Sequence, residues 1–298
     1  MGDGPVFIGG LAFSGKTPLR IALSAHPRME LTRRTAMWTR YRGRFGDLTA
    51  GDNLARCLDT MLTDPAIASL EPDRAQILNS LTAGTTTYER LFEAIHRHHA
   101  RRQGKVRWGD QLGTIEHHAH AVLSAYPDAQ MIQMIRDPRT RYRASGTRHR
   151  QLPGKLGWET ARWRYSADLA VRNLRRFPGR YHVVRFEVLC AAPESTLREV
   201  CAFLRETYTS DMAAALDAAT LVDAPTSDTH GRRQSEVAAF VERYAKRQLH
   251  AHAYATTPVS DRPALPTSFY LIDLPCNRAG LAAWRLTHTT GRMTREAA

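Results

Sequence analysis

Apolar residues in this chain fall into short dense runs, separated by long stretches in which they recur every third or fourth position. Val6-Phe7-Ile8, Ala129–Ile135 and Tyr181–Phe186 are such runs, with the length expected of strands buried on both faces. Between them the spacing turns helical. Leu54, Leu58 and Leu62, then Leu91, Phe92 and Ile95, predict helices within 53–102. Trp108–Tyr126 reads as a loop followed by a helix, Trp158–Arg176 as a long helical region, Ser195–Thr207 as an amphipathic helix and Glu236–Tyr254 as the last clear one. Residues 28–56 are rich in arginine and aromatic residues and carry few signals of either kind. From Thr256 onward, prolines and scattered apolar residues predict an extended tail packed on the body. Strands separated by helices predict an α/β fold, a parallel sheet flanked by helices on both faces. The expected organisation is one domain over residues 1–255 and a C-terminal extension over 256–298. Within the domain, 28–100 is a largely helical insertion over the sheet's C-terminal edge, where such sheets bind ligands.

The chemistry concentrates just after the first strand. Gly10-x4-Gly15-Lys16-Thr17 satisfies the phosphate-loop pattern, with an apolar strand before it and helical spacing after it. Glycines let the backbone curl so that successive N–H groups face one anion, and the start of the following helix adds its positive dipole end. Lys16 supplies a charge for the outermost group. The expected architecture is therefore of the P-loop nucleotide-kinase type.

Composition narrows the partners. A formal net charge of +13 favours anionic ones: nucleotides, sulfated or phosphorylated molecules, or an anionic membrane surface. Arginine is spread along the chain rather than gathered into a basic tail, so no nucleic-acid partner is expected. The four cysteines, Cys57, Cys190, Cys201 and Cys276, have no C-x-x-C spacing, which points to reduced thiols rather than a zinc site or a disulfide framework. No apolar run approaches the ~20 residues that span a bilayer, and the first strand begins within five residues of Met1, leaving no room for a signal peptide. A cytoplasmic protein without a metal is the expectation.

The residues that follow carry a family resemblance. Phe7–Arg20 (FIGGLAFSGKTPLR), then Leu23-Ser-Ala-His-Pro27, resembles the 5′-phosphosulfate loop of sulfotransferases that use 3′-phosphoadenosine 5′-phosphosulfate (PAPS), bacterial members included. Met134–Arg139 through Ser145 resembles their 3′-phosphate segment. Val184-Arg-Phe-Glu-Val-Leu189 with Pro193 resembles the block that follows, and Trp108-Gly-Asp-Gln111 stands at the W-x-E-K-T-P stretch. The blocks run from residue 5 to about 255 in the family's order. The resemblance implies sulfuryl transfer from PAPS to a hydroxyl. It places the donor on Phe13, Ser14, Gly15, Lys16, Thr17 and Pro18, with Arg136 and Ser145 on the 3′-phosphate and Arg232 and Arg233 closing over it. Arg136 and Ser145 stand nine residues apart, one more than the commonest family spacing, so either the serine is offset or Thr140 substitutes for it.

Four departures are visible. Phe13 stands where the family has a basic residue, and Lys16 where it has threonine; Arg33 and Arg34 stand where some members carry a catalytic carboxylate, and Gln111 where they carry lysine. The candidate bases are Asp110, read as lying in a loop or capping the next helix, and His117 in the run Glu116-His-His-Ala-His120. Alternatively, the acceptor is acidic enough to need no base. The segment 33–45 is expected to line a pocket for a small, partly apolar or lipid-like hydroxyl acceptor. Two other readings remain open: a P-loop ATP-dependent small-molecule kinase using Asp137 for magnesium, and a non-catalytic protein that binds the product nucleotide PAP. Oligomeric state stays open.

Overall fold

The computed structural model describes residues 4–146, 152–216 and 231–289. Five strands, β1 (Val6–Gly9), β2 (Met29–Arg33), β3 (Arg107–Gln111), β4 (Gln130–Ile135) and β5 (Tyr181–Arg185), form one parallel sheet in the order β2-β3-β1-β4-β5. Strand β1 is central, with Phe7 in register with Asp110 on one side and Met131 on the other. The order changes direction around β1, so its carboxyl end opens into the crevice where doubly wound sheets hold ligands.

The two sheet faces bury different layers. On one, Val6, Ile8, Leu31 and Ile132 pack with Leu19 and Leu23 of helix α1 (Lys16–Ser24). The other face carries Phe7, Trp108 and Met131. Above it lie α2 (Met37–Arg40), α3 (Asn53–Leu62), α4 (Pro65–Ala68), α5 (Arg74–Leu81), α6 (Tyr88–Arg102) and α7 (Ala119–Ala125). Phe7, Trp108 and Tyr126 meet edge-on or tilted at 5.6–5.7 Å between ring centres, tying sheet to helices. The remaining helices are α8 (Pro138–Gly146), α9 (Lys155–Arg176), α10 (Phe186–Ala191), α11 (Pro193–Leu204), α12 (Ser210–Ala214), α13 (Gly231–Ala251) and α14 (Leu274–Thr289). No helix among the described residues is long and apolar enough to cross a membrane.

Three expectations change here. The 28–100 segment opens with a strand, β2, that the sequence signals did not predict, before its helices begin. Alternation in Met29-Glu-Leu-Thr-Arg33 is short and runs into arginine, which hides an edge strand. Strand β3 extends to Gln111, so Asp110 lies inside the sheet rather than in a loop or at a helix cap. All five of its residues are buried although they include Arg107, Asp110 and Gln111. Finally, the tail is not extended. A wide helical turn, Phe269–Asp273, leads into α14, which packs along α9. The contact is close because Gly157 admits it: a Cβ there would fall 1.8 Å from the Asp273 carbonyl oxygen.

Arg107 explains how a charged residue can occupy a buried strand. Its guanidinium donates to the carbonyls of Gly4 (2.7 Å) and Leu204 (2.8 Å), to Glu206 (3.0 Å) and to Gln130 Oε1 (2.8 Å). It thereby joins the chain before β1, the end of α11 and the start of β4. Removing one partner of a buried ion pair strands the other charge, at ~3–5 kcal/mol. Arg107→Ala should therefore lower unfolding free energy by about that amount in a denaturant titration. A loss within the ~0.5 kcal/mol of ordinary surface substitutions would contradict the assignment.

Candidate active site at the loop after β1

Backbone geometry forces glycine at two points of the loop. Gly10 has φ 117° and Gly15 φ 89°. A Cβ would fall 2.3 Å from the Met134 carbonyl oxygen at Gly10 and 2.1 Å from the Phe186 ring at Gly15. Phe13 also takes a left-handed φ, 64°, completing the curl. Gly15 then starts α1 with no side-chain cap, so the first-turn N–H groups face the loop's concavity. Pro18 fits in this turn because its missing N–H is one the helix does not use. Ser14 is 2% exposed, and its hydroxyl has no partner.

Lys16 is buried and turned back over the loop, donating to the carbonyls of Gly10 and, at 2.6 Å, Leu11. An ammonium has three protons, so one remains for an anion in the concavity. Burial pushes its pKa down to about 8, Glu116 draws it back up, and Arg162, Arg141 and Arg34 push it lower again. Beneath the loop lies the Glu116 carboxylate, 1% exposed. Its Oε2 accepts the Gly10 N–H at 2.9 Å and its Oε1 the Ser166 hydroxyl at 3.0 Å. Nothing in the spacing of Glu116 within its histidine-rich run distinguishes this anchoring role.

Arg136 leaves β4 toward the same loop. Its Nη1 donates to the Phe13 carbonyl at 3.2 Å, and its guanidinium carbon stands 4.7 Å over the Phe186 ring. Trp163, a core residue of α9, donates to the Arg136 carbonyl at 2.9 Å and fixes the strand's exit. Phe186 thus touches Gly15 and lies under Arg136, a double role its sequence block does not reveal. Arg141, also unmarked in the sequence, is buried, pairs with Glu159, and places Nη1 3.4 Å from the Ala12 carbonyl. Asp137 is clamped by Arg139, whose Nε stands 2.9 and 3.1 Å from its two oxygens. The side chains of Ser145, Arg232 and Arg233 lie outside the described residues.

The two candidate bases occupy different layers. Asp110 is 1% exposed beneath the helices. It accepts from Thr32 at 2.9 Å and from Thr35, which the left-handed φ of Arg34 (56°) and Ala36 (51°) turns back toward it. Burial pushes Asp110 up to about 6, against the lowering hydrogen bonds of both threonines. His96 stacks on Trp108 at 4.8 Å and stands 3.6 Å from Asp110; burial drives its pKa to about 3, so it is a neutral neighbour rather than an ion-pair partner. His117 packs edge-on against Tyr165 (5.2 Å) and Trp284 (5.5 Å), its Nε2 3.9 Å from Glu116 Oε1. It therefore belongs to the layer that carries the loop anchor. His120 is exposed against Phe177. Among the described residues no group of three or more His, Cys, Asp or Glu could hold a metal.

In the 33–45 segment, Trp38 and Tyr41 face the core rather than a pocket. Arg40 pairs with Asp64 and Arg42 with Glu89. Arg33 and Arg34 remain exposed where β2 ends.

A sulfotransferase-family model matches residues 5–210, and the chain belongs to that family. No curated protein matches it in sequence. Its fold is similar to the sulfotransferase domain from the curacin biosynthetic pathway, at 15% identity and TM-score 0.53, over 85% of this chain and 99% of that one. It is also similar to the sulfotransferase domain of the Synechococcus PCC 7002 olefin synthase, at 19% identity and TM-score 0.50, over 92% and 93% of the two chains.

The Asp110 layer makes a pH-dependent prediction. A carboxyl whose folded pKa is raised stabilises the fold fully below its unfolded pKa, 3.8, and loses that contribution as pH rises through about 6. The stability of Asp110→Asn relative to the native chain should therefore rise by roughly 3 kcal/mol between about pH 4 and about pH 7. Denaturant unfolding at each pH measures it. An offset that does not change with pH would contradict the placement.

Proposed function

We propose that the protein moves a sulfuryl group from PAPS to the hydroxyl of a small, partly apolar acceptor. One observation carries this reading: Arg136 is hydrogen-bonded to the Phe13 carbonyl of the very loop whose N–H groups converge on an anion. Loop and arginine thus form one unit suited to the two charged ends of a single nucleotide. The residues fit PAPS. The partnerless Ser14 hydroxyl offers the phosphosulfate a polar partner within the loop. Arg136 offers a charge-assisted contact for a 3′-phosphate, joined in this reading by Thr140 or Ser145 and by Arg232 and Arg233.

When bound, PAPS supplies an activated sulfuryl group. The chain's part is electrostatic, since transfer of this kind needs alignment and charge stabilisation more than covalent help. The N–H groups of Gly15–Thr17 and the third proton of Lys16 hold developing negative charge on the phosphosulfate, the Ser14 N–H being taken by the Leu11 carbonyl at 3.2 Å. Arg141, Arg162 and Arg34 raise the positive potential around Lys16. The same potential favours an ionised acceptor, because nearby cations lower the pKa of an acid. A phenol or quinol, with a pKa near ~10 in water, gains most from this; an aliphatic alcohol gains little. Asp110 is sealed beneath Thr32 and Thr35, so acceptor ionisation does the work of a base in this reading. The kinase alternative loses its metal ligand, since Arg139 already engages both oxygens of Asp137.

Incubation with sulfur-labelled PAPS and matched panels of phenols and aliphatic alcohols tests the proposal. Phenols should accept label faster, and Lys16→Ala should slow transfer by ~10²-fold or more while the fold survives, as for one lost oxyanion donor. Aliphatic alcohols outpacing phenols of equal size would refute the acceptor assignment. Undiminished turnover in Lys16→Ala would refute the role of the loop.

A further inference from the structure

A second positively charged site lies outside the loop, between α9, α13 and α14. Here a cavity of about 400 Å³ is walled by Arg164, Arg243, Arg278 and Arg285 over a floor that includes Leu274 and Leu281, with no carboxylate among the described residues of its lining. Arg164 donates to Asn277 at 2.7 Å, while its buried Nε has no partner. The nearest countercharge, Asp168, is already held by Arg247 at 2.8 Å and by Gln248. Burial lowers the pKa of Arg164, and Arg285 and Arg247 lower it further against the pull of Asp168. Four guanidinium groups converge on this cavity, and an anionic group there is attracted by all of them.

Exposed apolar side chains lie on the segments that flank this cavity. Tyr270, Leu271 and Ile272 are 39%, 71% and 41% exposed, and Leu286 is 67% exposed. Arg243 joins this flank to the cavity, its Nη1 donating to the Tyr270 hydroxyl at 3.4 Å. On α14, positions 274, 278, 281 and 285 form one stripe along the cavity. Leu271 lies one turn before this stripe and Leu286 at its far end. A free phosphorylated metabolite needs the arginines but has no use for bare leucine and isoleucine beside them. An acidic protein surface would leave those side chains against charge. Anionic lipid satisfies both halves: phosphate for the guanidinium groups, and an acyl boundary for the aliphatic and tyrosine side chains.

We propose that this face docks onto an anionic membrane surface, the arginine-walled cavity taking a phosphorylated headgroup while Leu271 and Ile272 enter the headgroup–acyl boundary. The inference does not depend on the donor or acceptor of the reaction. It does account for how a chain with a net charge of +13 would approach a lipid-like substrate.

Flotation of the full chain with phosphatidylcholine vesicles, with and without phosphatidylserine, tests it. Binding should require phosphatidylserine and weaken with salt. Arg278→Glu/Arg285→Glu should reduce it by about tenfold or more. Leu271→Ser/Ile272→Ser should weaken it independently, with thermal unfolding confirming that both variants remain folded. Arg101→Glu/Arg175→Glu, equal in charge change but on other exposed positions, should retain most of the binding. Equal binding to both vesicle types, binding to neither, or equal loss in the Arg101/Arg175 variant would overturn the proposal. Displacement by soluble glycerophosphoserine combined with undiminished binding of Leu271→Ser/Ile272→Ser would overturn it too, assigning the cavity to a free phosphorylated ligand.

Discussion

A buried carboxylate beneath the glycine-rich loop after β1 is the constraint around which the rest of the structure is arranged. Isolated in a protein interior, Glu116 would be destabilising by several kcal/mol. Here it accepts the Gly10 N–H and the Ser166 hydroxyl, so the turn after β1 is fastened to α9. The bond takes up the Gly10 donor from below, the Ser14 N–H goes to the Leu11 carbonyl, and the first-turn donors of α1 are left facing the concavity. Glu116 also draws up the pKa of Lys16, partly offsetting a burial that would otherwise favour the neutral amine. The loop is thereby shaped before any ligand arrives, which is what electrostatic catalysis by fixed donors requires.

The surroundings of this anchor are cationic. Arg136 reaches the loop through the Phe13 carbonyl and Arg141 approaches it at Ala12, while Glu159 and Arg139 keep neighbouring charges paired. A site of this sign suits a donor with several negative charges and an acceptor that reacts as its anion. Arg33 and Arg34, exposed at the end of β2, add to this positive surface.

Much of the loop after β1 was legible in the sequence because its constraints are local. Glycines at 10 and 15, the lysine that opens α1, and an arginine at the end of an apolar run each answer a backbone or charge requirement visible within a few residues. The parts that were not legible depend on distant partners. Strand β3 hides behind Arg107 and Asp110, whose burial becomes tolerable only when Gly4, Leu204, Glu206, Thr32 and Thr35 arrive from elsewhere in the chain. Helix α14 hides behind the prolines that precede it, and its place is set by Gly157 and Gly280, where α9 and α14 approach too closely for a side chain. Glu116, Phe186 and Arg141 carry ordinary residue types at unremarkable spacings, and only the folded chain brings them to the loop.

The central claim is that the loop and Arg136 together read one nucleotide with charge at both ends. Thermal unfolding titrated with PAP, adenosine 5′-phosphosulfate and Mg-ATP tests it most directly, because a ligand stabilises the state it binds. The account predicts that PAP stabilises the protein more than Mg-ATP does. It also predicts that Arg136→Ala removes ~1.5–3 kcal/mol of PAP binding while leaving adenosine 5′-phosphosulfate nearly unaffected. Preferential stabilisation by Mg-ATP, or equal losses for both adenosine ligands in the Arg136 variant, would contradict it.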